Sequence, residues 1–160
     1  MDTNTLRCIV NCDPVLSQKV IKVFSADEIP KSQSSYPTAF IINTDRKQDP
    51  GRHWLAFYVT SHRGEFFDSY GRKPSSYSDV FNDFFVVNNL TLQHNDKRLQ
   101  SSDSKVCGYY CIYYLINRCR GVPMNEIIHT FSNDLSNNDT FVFDVVRNAF
   151  PYCVKSSDRH

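Results

Sequence analysis

Residues 99–111, LQSSDSKVCGYYC, join a polar loop to an amphipathic helix, and a cysteine, Cys107, stands at the junction. A thiol there would lie against the positive end of the helix dipole and several unpaired backbone N–H groups. Both favour thiolate, and such settings lower a cysteine pKa from about 8.5 to roughly 3.5–7.5. That is how a nucleophile is made. Gln100, seven residues upstream, could return across the loop and offer its amide N–H to an oxyanion forming on the carbon that Cys107 attacks. The competing reading of this segment is a buried cysteine opening a core helix.

Thiolate catalysis also needs a histidine to exchange the proton and a third group to orient that histidine. The chain supplies His53, Asp68, Gln100 and Cys107 in that order. Residues 53–60, HWLAFYVT, alternate with His53, Leu55, Phe57 and Val59 on one face, and GEFFDSY at 64–70 follows across a turn. This predicts a β-hairpin with His53 and Asp68 at the same open end. A symmetric hairpin sets the two opposite one another only if its centre falls between Thr60 and Ser61, whereas the turn residues are centred about two positions later. A bulge or register adjustment is therefore expected. Without it the pair would be displaced by about four residues, roughly 13 Å, too far for a hydrogen bond.

The elements that must carry these residues follow from periodicity and caps. Leu6, Ile9 and Val10 share a helical face, so Thr3 to about Asn11 reads as a first helix ended by Asp13-Pro14. Residues 19–24, KVIKVF, read as a strand, and the polar loop through Pro37 as a surface segment that could wall a groove. AFIIN at 39–43 is an apolar run suited to a strand buried on both faces. Ser76 or Ser78 caps a helix with the aromatic stripe Phe81, Phe84 and Phe85, running to about Leu90. Thr91–His94 reads as a short strand. The helix from Cys107 buries Cys107, Cys111, Tyr114 and Leu115 and stops at Gly121-Val122-Pro123. Another covers Met124 to Phe131, and Asp139 caps the last, with Val142, Val145, Val146 and Ala149 inward.

Length and composition point to one domain: 160 residues, 41% of them hydrophobic, suffice for a single core. The expected fold is α+β, a small mixed or antiparallel central sheet packed against the Cys107 helix, with residues 1–154 as the domain and 155–160 as a disordered tail. The net charge of +1 gives no global signature of a nucleic-acid or membrane binder. Lys97, Arg98, Lys105, Arg118 and Arg120 read as solvated charges. With no signal peptide or membrane-length apolar run in the sequence, the expectation is a soluble, intracellular, monomeric protein. The six cysteines are expected to be reduced. A zinc site built from Cys8, Cys12, Cys107 and Cys111 is disfavoured against core packing, so no metal is expected. His62, His94 and Asp103 read as surface residues, and His129 as a packed mid-helix residue.

The motifs HW at a strand start, FFDSYG at the end of the next strand and Q-x6-CG opening a long helix resemble the adenovirus-type cysteine endopeptidases (adenain). They also resemble the related proteases that process ubiquitin-like proteins. The similarity runs from about Leu6 to Leu115. It implies Cys107 as nucleophile, His53 as general base and then acid, and Asp68 as orienter of the imidazole. Gln100 and the Cys107 backbone N–H would form the oxyanion hole, with Trp54 and Gly108 in the substrate channel. It further implies substrates with glycine near the scissile bond, in precursors of a virus or virus-like element or in ubiquitin-like tails. Nucleus or virion would then be the compartment in a viral setting. Adenain carries a glutamate where Asp68 stands, and the ubiquitin-like-protein proteases carry aspartate. The chain's length, with little to spare for docking a folded modifier, favours the adenain side, and an inactive relative that binds glycine-tailed proteins is the alternative of another class. No cofactor is required for the chemistry. An activating peptide or DNA, as adenain uses, finds no support: no cysteine lies between Asp68 and Gln100 to tether a peptide, and the near-neutral charge leaves at most weak nucleic-acid binding.

Overall fold

Why the centre of this molecule is a sheet is written in two runs of consecutive apolar residues. In a computed structural model, which describes residues 1–155, these runs become β2 (Thr38–Asn43) and β3 (Trp54–Val59), buried along their whole lengths. Around them the chain adds α1 (Thr3–Cys12), α2 (Leu16–Lys19), β1 (Val20–Phe24), β4 (Arg63–Phe67), α3 (Asp79–Val87) and β5 (Thr91–His94). It ends with α4 (Cys107–Cys119), α5 (Met124–His129) and α6 (Leu135–Ala149). The five strands form one sheet in the order β1-β2-β3-β4-β5. The central pairs β2/β3 and β3/β4 are antiparallel, and the outer pairs β1/β2 and β4/β5 are parallel. The architecture is therefore single-domain α+β with a mixed sheet. Beyond Lys155 the expected tail lies outside the described residues.

Alternation sorts the side chains into two cores. Trp54, Ala56, Tyr58 and Phe67 face α1, α4 and α6, where Leu6, Ile9, Tyr114, Leu115 and Val142 meet them. Leu55, Phe57, Val59 and Phe66 face the other way, onto Phe81, Phe84 and Phe85 of α3. Phe57 is the hub of that second core, with ring centroids 4.9 Å from Phe85 and 5.3 Å from Phe66. Each such buried ring contributes roughly 1.5–3 kcal/mol relative to exposure. With a core on each face, β3 is fixed in depth as well as register, which gives its N-terminal end a rigid base.

Local chemistry sets the helix ends. Asp2 caps α1 by accepting from the Thr5 N–H, and Ser78, not Ser76, caps α3 by accepting from the Val80 N–H. The last helix departs from expectation: Asp134 is its cap, accepting from the Asn137 N–H. Asp139 lies inside the first turns, where its carboxylate is taken by Ser101 and Tyr110. The buried stripe runs through Asn138, Val142, Phe143 and Val146, and Val145 and Ala149, expected to face inward, are exposed. His129, expected to pack, ends α5 and is exposed. The loop before β2 walls a hollow against α3, with Ile29 and Pro30 facing Phe84 and Val87.

Two further expectations are corrected. The cysteines are not all reduced, since Cys8 of α1 is bonded to Cys153, 145 residues away. Their proximity follows from α1 and the turn after α6 packing on the same core, a contact no local pattern encodes. Nor are the basic residues simply solvated. Arg118 forms a bidentate pair with Glu65, a carboxylate buried in β4 that requires a countercharge. Arg120 pairs with Asp13, Lys97 donates to the Phe131 carbonyl and Arg98 to the Gln100 carbonyl. Lys105 is exposed, as expected. Among the described residues no helix is long and apolar enough to cross a membrane.

Candidate active site

His53 and Asp68 meet without a bulge. The β3/β4 pairing is regular from Ala56↔Phe67 to Val59↔Gly64, which centres the hairpin between Ser61 and His62. In that register His53 would face Tyr70, so Asp68 is offset by two residues rather than four. The remaining gap closes because Asp68 leaves the strand. Residues 68–71 turn sharply, with the Gly71 N–H donating to the Asp68 carbonyl at 2.9 Å. Gly71 has φ +68°, and a Cβ there would come within 2.7 Å of the Asp96 carbonyl oxygen, so only glycine serves this turn. The result is a His53 Nε2 to Asp68 Oδ1 hydrogen bond of 2.7 Å.

Asp68 is fully buried, and every acceptor direction of its carboxylate is used. Oδ1 also accepts from the Tyr70 N–H, and Oδ2 accepts from the Arg72 N–H and the Tyr77 hydroxyl. Asn95 grips its backbone from both sides, accepting from the Asp68 N–H and donating to the Asp68 carbonyl. Burial opposes its ionisation, but the hydrogen bond and charge of His53, with those from Tyr70 and Tyr77, win and hold its pKa below the ordinary value. The His53 ring stacks on Tyr70, centroids 4.7 Å apart, and lies nearly parallel to Tyr77 at 5.7 Å. These contacts fix the plane of the imidazole.

With Nε2 held by Asp68, Nδ1 is the ring nitrogen left for Cys107, the first residue of α4. Thiol and imidazole interact directly, by hydrogen bond and by charge. Desolvation resists ionisation of both groups. For the thiol it is outweighed by the hydrogen bond and charge of His53 and by the Trp54 backbone, so the Cys107 pKa falls below its ordinary value. For His53 it is outweighed by hydrogen bonds to Asp68 and Cys107 and by their charges, which raise its pKa to about 9. The two shifts run in opposite directions, the thiol made more acidic and the imidazole more basic, and so both favour the thiolate–imidazolium form of the pair. Cys111, one turn further along α4, is buried without a partner of that kind, and burial pushes its thiol well up.

The segment after Asp68 also organises the Gln100 loop. The Ser69 carbonyl accepts from the Leu99 and Gln100 N–H groups, and the Ser69 hydroxyl donates to Gln100 Oε1 at 2.6 Å. Gln100 Nε2 in turn donates to the carbonyl and hydroxyl of Ser104 at 2.9 and 3.0 Å. Tyr110 and Asn138 donate to the Leu99 carbonyl, and Asp139 takes Ser101. Thus Asp68-Ser69 places both the partner of His53 and the fully buried Gln100. A cleft of about 190 Å³ lies over Cys107, walled by Trp54, Tyr70, Ser104 and Met1. Trp54 donates its indole N–H to the Met1 carbonyl at 3.0 Å. Gly108 lets Met1 and Trp54 pack close against the start of α4: a Cβ there would come within 3.1 Å of Met1 Cβ and 3.4 Å of Trp54 Cδ1.

All the residues singled out from the sequence occupy this one region, whereas His62, His94 and Asp103 are exposed. Sequence reasoning missed Tyr70, Tyr77, Ser69, Ser104, Asn95 and Asp139. The run DSYG offered a signal, since a buried carboxylate next to a turn glycine needs nearby donors; Asn95 and Asp139 act across 27 and 38 residues and leave no local trace.

No protein-family model matches the chain. Over 107 residues, 61% of this chain, it is 32% identical to "Putative thiol protease R355" of Acanthamoeba polyphaga mimivirus. The match covers 34% of that protein, so the chain spans about a third of the length of this curated relative.

Proposed function

We propose that this protein is a cysteine endopeptidase of the adenain type, hydrolysing peptide bonds at glycine-containing sites in precursor proteins of a virus or virus-like element. The observation that carries the reading is the relay Cys107–His53–Asp68, in which a buried, fully hydrogen-bonded carboxylate holds the His53 ring beside the Cys107 thiol at a helix start, raising the pKa of the one and lowering that of the other. Similarity to a protein named as a thiol protease supports the same chemistry.

In this mechanism the Cys107 thiolate adds to the scissile carbonyl carbon, and the oxyanion is met by the Cys107 N–H and by Gln100, with one amide hydrogen turning from Ser104 to the substrate. The His53 imidazolium gives its proton to the leaving amine, which departs as the acyl-enzyme forms. Neutral His53 then takes a proton from water, hydroxide attacks the thioester, and the acid product leaves with the thiolate restored. Asp68 keeps its charge throughout and stabilises each imidazolium. Trp54 and Gly108 line a channel that admits glycine beside the scissile bond.

Gln100→Ala is expected to lower kcat by about 10²–10³, as loss of one oxyanion donor commonly does, with little change in KM. Gln100→Glu should not rescue it, because a carboxylate repels the oxyanion; steady-state kinetics on a glycine-containing peptide decide this. The pH profile of kcat/KM is a second check. The acid limb rises as Cys107 ionises, below the ordinary thiol value of about 8.5. The alkaline limb falls as His53 loses its proton near pH 9. Activity is therefore highest between the limbs, which belong to the coupled pair. A maximum that is reached only above pH 9 would contradict the ion pair.

A second reading, release of ubiquitin-like modifiers, is favoured by the aspartate at position 68, the residue type of those proteases. Purified protein and Cys107→Ala are incubated with glycine-containing viral-type peptides and with ubiquitin-like proteins ending in an electrophile. Peptide cleavage that depends on Cys107 supports the first reading. Labelling by modifier probes alone reverses the order, and reaction with neither class leaves a binding module.

A further inference from the structure

We propose that Cys8, Cys12 and Cys153, when all are reduced, form a three-thiolate site for a zinc-class d10 cation that clips α1 to the turn following α6. Cys8 and Cys12 stand one turn apart on α1, so their sulfurs leave the same face. Cys12 Sγ lies 3.7 Å from Cys153 Sγ, and all three sulfurs fall within 4.8 Å of one another. Thiolates bound tetrahedrally at about 2.3 Å sit about 3.8 Å apart, so the Cys12–Cys153 edge already has the length a zinc tetrahedron needs. A disulfide uses two sulfurs. Here a third, Cys12, is held in contact with the Cys8–Cys153 bond and has no part in it. Its exposure gives the ion a path in and leaves the fourth position to water.

The two states exclude one another. A cellular dithiol transfers two electrons and two protons to the Cys8–Cys153 bond, becoming a disulfide itself and leaving three protein thiols. A zinc ion and one water then replace three protons, giving a site of net charge −1. The site differs from the Cys8, Cys12, Cys107 and Cys111 combination weighed from the sequence, because α4 keeps its cysteines at the cleft and in the core. Either link holds α1, and Met1, two residues before that helix, accepts from the Trp54 indole beside Cys107.

The test uses the full chain carrying Cys107→Ala, which removes the competing thiolate. Reduced with a phosphine, desalted without oxygen and titrated with Cd²⁺, it should show a saturable thiolate-to-metal charge-transfer band at one equivalent per chain, displaced by Zn²⁺. Binding should perturb the fluorescence of Trp54, the single tryptophan. Cys12→Ser, at an exposed position that leaves the Cys8–Cys153 pair intact, should weaken binding by more than the roughly 10–100-fold typical of losing an outer-shell partner. Cys153→Ser should do the same, and Cys119→Ser should not. Unchanged binding in Cys12→Ser, or no saturable band in the parent, overturns the proposal.

Discussion

Cys107→Ala is expected to abolish peptide hydrolysis, with kcat lowered on the order of 10⁴–10⁶, while circular dichroism and the thermal transition stay close to the parent's. The fold survives because the substitution, although at a buried position, removes only one sulfur atom, keeps the Cβ, and puts a better helix former at the start of α4. Chemistry fails because the Trp54 indole and the Gln100 loop, though still in place, have no nucleophile to serve. His53→Ala should cost nearly as much, since without it Cys107 loses the charge that keeps it a thiolate and the leaving amine loses its proton donor. The double variant should be little worse than either single one, because the two groups act as a unit. Additive losses in the double variant would show that Cys107 and His53 serve separate steps.

Asp68→Asn is the second large effect, about 10⁴ in kcat. The carboxylate accepts four hydrogen bonds, two at each oxygen, and an amide can offer an acceptor to only one pair. If its NH₂ takes the Oδ1 position, His53 must turn its Nε2 lone pair toward it and carry the proton on Nδ1, facing Cys107 in the wrong tautomer for a base. If the NH₂ takes the Oδ2 position, it meets the Arg72 N–H, donor against donor. Either way the imidazolium loses the negative charge that favours it, so the alkaline limb of the pH profile should move below about 9. A merely structural role would lower Tm without moving that limb. Kinetics within tenfold of the parent, with the limb unmoved, would remove Asp68 from the relay.

The strands, the α4 start and the aromatic stripe of α3 could be read from the chain because each rests on consecutive residues: period two in HWLAFYVT, period 3.6 in α4, a serine before α3. Other features depended on contacts between distant segments. The hairpin register could not be fixed by the turn residues alone, because the Asp68–Gly71 turn, wedged against Asp96 and Lys97, supplies the approach that a bulge was expected to supply. Asp139 resembled a helix cap, but its carboxylate serves Ser101 and Tyr110 across the core. Arg118 looked like a surface charge until Glu65, 53 residues earlier, required it. The same holds for the Cys8–Cys153 bond. At the candidate site the identities of the four polar residues were legible as types in order; the Tyr70, Tyr77, Asn95 and Ser69 scaffold that aims them was not.

The most direct test of the central claim is covalent trapping at mildly acidic pH. The protein, reduced and held at pH 6, is treated with a short glycine-ending peptide electrophile, and the modified cysteine is located by mass spectrometry. Cys12 is exposed, whereas Cys107 is buried, so a reagent guided by access alone would label Cys12. The relay predicts one label, on Cys107, lost in His53→Ala and strongly reduced in Asp68→Asn. Labelling of Cys12 in preference, or of Cys107 at an equal rate without His53, would contradict it.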